Sequence, residues 1–479
     1  MNHRMILHTL GKLLVFESGF LLLPAATAVI YGEWRTLTAF LITALVCLAV
    51  GGLMSFKKPQ NTLLFAKDGF VIVALSWIVL SLFGAIPFVI SGAVTNYIDA
   101  IFETVSGFTT TGASIIPSVE DMPRAILMWR SFSNWIGGMG ILVFVMAFLR
   151  LGGGQNMHIM KAESPGPSVS KLVPKVRSTA LLLYTLYSVF TVIQMILLVT
   201  VGELDLFSAV NLSFATAGTG GFGILNDSFA SYSPAVQIIT TVFLILFSLN
   251  FGSYFLILRG RFKDAFTEEV RAFLIIVAVS VTLISLDLRG IYDTFGEALR
   301  HASFNFASII STAGFMSSDF DLWPSFSKAI LITAMFIGAC AGSTGGGIKI
   351  SRILIMGKTM IRELSAAIRP KQVKKITIDG QAQPSPIVRS VFGYLVCLIF
   401  VFVASVLLVS LDGHDFATNF SAVAATIGNI GPGIAKVGPT QNFAFFSPIS
   451  KIVLIFDMLA GRLEFYPLLL LFFPQTWKK

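Results

Sequence analysis

Charge is scarce in this chain. Only 12% of its 479 residues are Asp, Glu, Lys or Arg, against roughly 25% in an ordinary soluble domain, too few to build a water-facing surface. That shortage excludes a soluble enzyme or binding domain. Cysteine is nearly absent too: Cys47, Cys340 and Cys397 stand singly in apolar segments, which excludes a disulfide framework and leaves them as small core residues. The five histidines, His3, His8, His158, His301 and His414, are scattered without metal-ligand spacing. No nucleophile and base pair stands out either, so the sequence offers no enzyme and no site for an organic cofactor.

What is abundant is apolar length. Hydrophobic residues make up 55% of the chain, and Phe70 to Ile90, Ala180 to Val201, Ala235 to Leu258 and Val388 to Leu411 each supply the ~20 residues that a helix needs to cross hydrocarbon. The expected fold class is an all-α polytopic membrane protein in a lipid bilayer. The net charge of +9 is distributed as a topology signal rather than a nucleic-acid footprint. Basic residues gather at Lys57 and Lys58, across 150–178, at Arg259, Arg261 and Lys263, from Arg362 to Lys375, and at Lys478 and Lys479. The opposite loops carry mostly acidic charge, so the positive-inside rule predicts both termini in the cytoplasm. Near the N-terminus, Thr9 to Tyr31 is longer than a signal-peptide core, and Leu37 to Met54 follows it with Lys57 and Lys58 behind. That order predicts a retained helical hairpin over 1–64.

After the hairpin one pattern recurs four times: a long apolar helix, a short amphipathic segment, a Thr/Ser-and-Gly loop, and a second apolar helix. The loops read FTTTGAS (108–114), TAGTGGFG (216–223), ISTAGFMS (310–317) and TIGNIGPG (426–433). Counted from Phe102, Asn211, Phe304 and Ser421, a glycine stands ten residues later each time, at Gly112, Gly221, Gly314 and Gly431. The expected units are 65–178, 179–264, 265–378 and 379–479, parallel because each returns to the basic side before the next begins. A segment too short to span must dip in and turn back, and irregular backbone at depth is tolerated only beside a water-filled cavity or inside protein. That describes a pore loop. Glycine admits backbone angles closed to other residues, so neighbouring carbonyls can be turned toward a common axis. Four such loops in pseudo-fourfold array would replace the hydration shell of K⁺ with carbonyl oxygens. The expected ion-contacting residues are Thr110, Thr111 and Gly112; Gly220 and Gly221; Thr312, Ala313 and Gly314; and Asn429, Ile430 and Gly431. Threonine and serine hydroxyls at 109–111, Thr219, Ser311 and Thr312 add polarity without charge.

Two glycine motifs compete with that reading. Gly218, Gly220 and Gly223 satisfy G-x-G-x-x-G, but the following segment runs through Asn226, Asp227 and a Ser-rich turn, and it faces outward on this topology. GSTGGGIK (342–349) resembles a phosphate loop, but Ile348 separates the last glycine from Lys349. Five glycines from Gly338 to Gly347 instead predict a break in the second helix of the third unit, at about 1 kcal/mol per glycine relative to alanine. Arg462 lies mid-segment in the last helix, where exposure to lipid would cost about 2.5 to 3.5 kcal/mol, so it faces protein or water. It either bears on the cation pathway or pairs with Glu464 or Asp457. Asp99, Glu203, Asp205, Glu297 and Asp415 are placed to draw cations to the outer mouth or are simply solvated.

FTTTGAS, ISTAGFMSSDFDLWP, GACAGSTGGGIK, IGNIGPG and MLAGRLEFYPLLLLFFP together resemble the potassium-uptake membrane subunits of the Trk/Ktr/HKT superfamily. The likeness covers roughly 65–479, and the extra hairpin with the NIGPG loop is similar to the TrkH/TrkG branch. The resemblance implies K⁺ as the transported ion, a homodimer in the bacterial inner membrane, and a cytoplasmic TrkA-type nucleotide-binding subunit that controls gating. It also implies an intramembrane gating loop at Gly342, Gly345, Gly346, Gly347 and Lys349, with Arg462 beside the pathway. One departure stands in the second loop: GGFGILN has Gly223 where relatives often carry Ser or Thr, which leaves the rim contacts of that quarter open. The alternative function is a secondary transporter coupling K⁺ entry to H⁺ or Na⁺, for which few buried ionisable residues are present.

Overall fold

A computed structural model describes residues 1–57, 59, 64–140, 176–371 and 374–477. Lys58, Lys478, Lys479 and the basic stretch 150–178 up to residue 175 lie outside the described residues. Among those described the chain is helical apart from a two-stranded hairpin, Thr377–Ile378 with Gln381–Ala382. Among the described residues six helical segments are long and apolar enough to cross a membrane: His3–Ile30, Trp34–Ser55, Ala66–Ser91, Ala180–Thr200, Glu268–Asp287 and Ser385–Asp412. Helices in lipid satisfy every backbone group internally, which is why so apolar a chain takes this form.

The expected N-terminal hairpin is present as His3–Phe20, Leu22–Ile30 and Trp34–Ser55. Its arms cross where Gly11 meets Gly51. A Cβ on Gly11 would lie 2.7 Å from the Gly51 carbonyl oxygen, and one on Gly51 would lie 2.6 Å from that of Gly11. Small residues let helix backbones approach closely where lipid supplies no hydrophobic drive.

Each of the four units contributes a short helix too short to span: Tyr97–Phe108, Leu206–Ala217, Phe295–Ile310 and Phe416–Ile427. Their starts are fixed by side chains that accept a hydrogen bond from the first-turn backbone, Asn96, Asp205, Thr294 and Asp415. The helices that follow them differ. In the first unit Arg124–Gly138 is one helix, and residues 141–175 lie outside those described. In the second, the single span expected from Ala235 to Leu258 is instead two helices, Pro234–Ser248 and Phe251–Leu258, bent by 90°. In the third, Ser325–Phe336 and Ile350–Ile368 flank the glycine-rich loop, so the expected break is real. In the fourth, Pro448–Arg462 ends at Arg462, and Tyr466–Phe472 follows after Glu464 and Phe465, both at positive φ. The flanking helix Ser385–Val409 turns Val396, Phe400, Val403 and Leu407 outward, an apolar face suited to lipid.

Candidate ion pathway

The four short helices end in one geometry. The residue two before each glycine takes the left-handed conformation, at Thr110 (φ 56°), Thr219 (φ 51°), Thr312 (φ 62°) and Asn429 (φ 55°), and the glycines follow at φ 80°, 78°, 74° and 98°. In the first loop, Thr110 N–H bonds Gly107 O at 3.1 Å and Thr111 N–H bonds Ser106 O at 2.8 Å. The same pair of bonds, three and five residues back, recurs at Thr219 and Gly220, at Thr312 and Ala313, and at Asn429 and Ile430. This is the Schellman ending of a helix, normally built on glycine at the left-handed position. Here the glycine comes two residues later, so left-handed residues alternate along each loop.

The four loops close into a ring in chain order. A Cβ on Gly112 would lie 2.6 Å from the Gly220 carbonyl oxygen, and one on Gly431 would lie 2.7 Å from that of Thr111. Likewise a Cβ on Gly221 would strike the Ala313 carbonyl, and one on Gly314 the Ile430 carbonyl. Only glycine fits at these four contacts. Among the described residues, none of the carbonyls at 110–112, 219–221, 312–314 and 429–431 accepts a hydrogen bond. Buried carbonyls nearly always have a partner, so a clustered set without one sets these loops apart. On the side away from the glycine-rich loop, Gly112, Gly221, Gly314 and Gly431 share one cavity of about 120 Å³ with Ser114 and Asn442.

The loop hydroxyls do other work. Thr109 donates to Val105 O at 2.6 Å, Thr219 to Gly218 O at 2.7 Å and Ser311 to Ser308 O at 3.0 Å. Thr111 accepts from Asn429 Nδ2 at 3.0 Å, and the same amide donates to Met458 O at 2.8 Å. Behind the loops, side chains of the short helices hold the returning strands. Glu103 accepts from Ile115 N–H at 3.0 Å, Asn305 from Ser317 N–H at 3.3 Å and Ser421 from Ile434 N–H at 3.1 Å. Glu103 also pairs with Arg130 at 2.7 Å, both essentially buried.

Beneath the ring lies the glycine-rich loop. Its backbone folds on itself through Gly338 N–H to Ile348 O at 2.7 Å, and Glu269 accepts from Ala341 N–H (2.8 Å) and Ser351 N–H (2.9 Å). The bend in the second unit receives it: Phe251 N–H bonds Gly342 O at 3.1 Å, and Thr344 donates to Phe247 O at 3.2 Å. The loop reaches the ring through Gly346 N–H, which donates to Thr312 Oγ1 at 2.6 Å. Lys349, 1% exposed, points its ammonium at the Gly345 and Gly346 carbonyls. Arg462 donates to Thr344 O at 3.0 Å, Gly137 O at 2.5 Å and Gly138 O at 2.8 Å, bridging this loop to the first unit. Of the two partners considered for it, Glu464 pairs with Arg352 at 2.5 Å, and Asp457 accepts from Ser405 at 2.6 Å.

A family model described as TrkH, cation transport protein, matches residues 36–479. The chain belongs to the TrkH family. It is 37% identical over its full length to a Trk system potassium uptake protein TrkH of Salmonella typhimurium, with both chains covered completely. It is 32% identical to the Trk system potassium uptake protein TrkG of Escherichia coli, covering 99% of each. The crystal structure of the potassium transporter TrkH from Vibrio parahaemolyticus superposes with a TM-score of 0.90 at 34% identity, over 100% of both chains. These relatives are named as transport proteins, not enzymes.

As a member of the TrkH family, this chain is a multi-pass membrane protein with pore-loop repeats. The structure brings all the predicted ring residues together and sets Gly345, Gly346, Gly347, Lys349 and Arg462 around one small cavity below them. Gly342 stands apart from that cavity, against Asn250 of the bent helix pair. The expected acidic outer rim is only partly free: Asp99 pairs with Lys451 at 2.7 Å, and Glu297 lies 3.6 Å from Arg300. Sequence reasoning missed the Glu103–Arg130 pair and the bend at Leu249 and Asn250. A glutamate inside an otherwise apolar amphipathic segment was the available signal for the first.

Proposed function

We propose that the chain takes up K⁺ across the bacterial inner membrane through a channel-like pore, with both termini cytoplasmic. The observation that carries this reading is the ring of carbonyls at Thr110–Gly112, 219–221, 312–314 and 429–431, which accept no hydrogen bond among the described residues. Carbonyl oxygens replace the water around a K⁺ ion without the full charge that would hold it fast. Each short helix also ends at the ring, so its negative dipole end faces the same region and favours a cation there. The pore-repeat units are 65–178, 179–264, 265–378 and 379–479, behind the hairpin 1–64. The relatives' names as potassium uptake proteins support the choice of ion.

The loop of Gly342, Gly345, Gly346, Gly347 and Lys349 together with Arg462 is the gate in this reading. Buried Lys349 and half-buried Arg462 lie below the ring, and Arg462 ties the loop to a different unit, so passage requires the loop to move. In this reading the protein works as a homodimer with a cytoplasmic TrkA-type nucleotide-binding subunit; the Trk system names of its relatives support a system with further components. The test is uptake of radioactive rubidium into K⁺-loaded liposomes without H⁺ or Na⁺ gradients. Uptake competed by external K⁺ far better than by Na⁺ is expected, and Gly112→Ser is expected to abolish that preference. Uptake that appears only with an imposed H⁺ or Na⁺ gradient would replace the channel-like reading with coupled transport.

A further inference from the structure

The second filter quarter lacks the support that the others carry. In the first, third and fourth units a polar side chain of the short helix, Glu103, Asn305 or Ser421, accepts a backbone N–H from the strand leaving the ring. The residue nine positions before the ring glycine is Glu103 in the first unit and Asn305 in the third, but Leu212 in the second. Two residues after the ring glycine the first strand has Ser114, which donates to Glu103, whereas the second has Gly223, with no side chain to reach its own short helix. A backbone without a side-chain tether would be free to shift, and a shift there moves the neighbouring ring carbonyls.

The tether comes from the first unit. Arg130 Nη1 donates to Gly223 O at 3.2 Å, and its guanidinium carbon lies 4.1 Å from the centre of the Phe222 ring. The same guanidinium donates through Nε to Glu103 at 2.7 Å and through Nη2 to Ser114 Oγ at 3.3 Å. One planar group therefore clasps the leaving strands of two adjacent quarters, a task for which arginine's fixed fork of donors is suited and lysine's single ammonium is not. Glu103 neutralises it, so a cation in the ring does not face a bare positive charge from behind.

We propose that Arg130 is a positioning residue for cation selectivity, setting the spacing between the first and second filter quarters in place of the anchor that Leu212 and Gly223 do not provide. The inference rests on the reading of the ring as the K⁺ filter. Its test compares Na⁺ and K⁺ as competitors of rubidium uptake in Arg130→Lys, Phe222→Leu and, as a control on the filter itself, Gly112→Ser. Arg130→Lys keeps the charge beside Glu103 but cannot also reach Gly223 or cover Phe222. Arg130→Lys and Phe222→Leu are expected to lower the K⁺ preference about tenfold, equivalent to ~1.4 kcal/mol. If Arg130→Lys does not fold, Phe222→Leu carries the same comparison alone. An unchanged preference in the folded variants, with preference lost in Gly112→Ser, overturns the role of Arg130 and leaves the filter standing. An unchanged preference in Gly112→Ser overturns the filter and the clamp with it.

Discussion

At Thr110, Thr219 and Thr312 a β-branched residue occupies the left-handed region, where such residues are outliers. The conformation costs roughly 1–2 kcal/mol at each, and the structure holds it through the paired helix-ending bonds and close packing on all sides. Strain that persists at a ligand site is commonly part of how the site is held ready. Thr219→Gly removes the strain and adds backbone freedom. It is expected to leave the melting temperature equal or higher while weakening K⁺ over Na⁺ preference; melting and rubidium competition read the two effects separately, and an intact preference would deny the strain any role. The ring glycines could be read from the sequence because four in register is a pattern. The left-handed threonines could not, since nothing in a threonine announces that conformation. Nor could the fate of the hydroxyls: Thr109 and Thr219 spend theirs on backbone carbonyls of their own helix ends.

Elements meet at two kinds of joint. The first is the capped outer end of each short helix. Asp415 accepts the Thr418 hydroxyl at 2.6 Å and the Thr418 N–H at 2.9 Å, and these bonds hold its carboxyl below the usual carboxylate range. A depressed folded-state value means that the stabilisation is complete above the ordinary Asp pKa and is lost as pH falls through the lowered one. Asp415→Ala is therefore expected to destabilise the protein by about 1 kcal/mol at neutral pH and by less in acid, where the parent has lost the same contribution. Melting curves at both pH values check this; an equal loss in acid would exclude the ionised cap. The second joint is the bond from Gly346 N–H to Thr312 Oγ1. Thr312→Val keeps the shape and removes the acceptor, leaving the loop less firmly seated, so rubidium uptake by the protein alone is expected to rise. Unchanged uptake would mean that this bond does not hold the loop shut. The glycine-rich break was legible because five glycines in ten residues defeat a helix. The 90° bend after Ser248 was not, because hydropathy stays high through Leu249 and only Asn250 interrupts it.

For the whole molecule, composition decided the class, and the fourfold recurrence decided the architecture. What sequence periodicity leaves unspecified is how unlike the units are once folded: one second helix is bent, one is broken by a loop, and one ends at Arg462. Those breaks all lie below the ring, while the four ring loops share one backbone geometry. Because a shut gate can silence transport without touching the ring, the central claim is tested most directly at equilibrium. The measurement is binding of radioactive rubidium to the purified protein in detergent, displaced in parallel by K⁺ and by Na⁺, with Gly112→Ser beside the parent. Displacement by K⁺ at concentrations well below those needed for Na⁺, lost in Gly112→Ser, is the predicted result. Equal displacement by the two ions, or a preference that survives in Gly112→Ser, would contradict a carbonyl filter at these four loops.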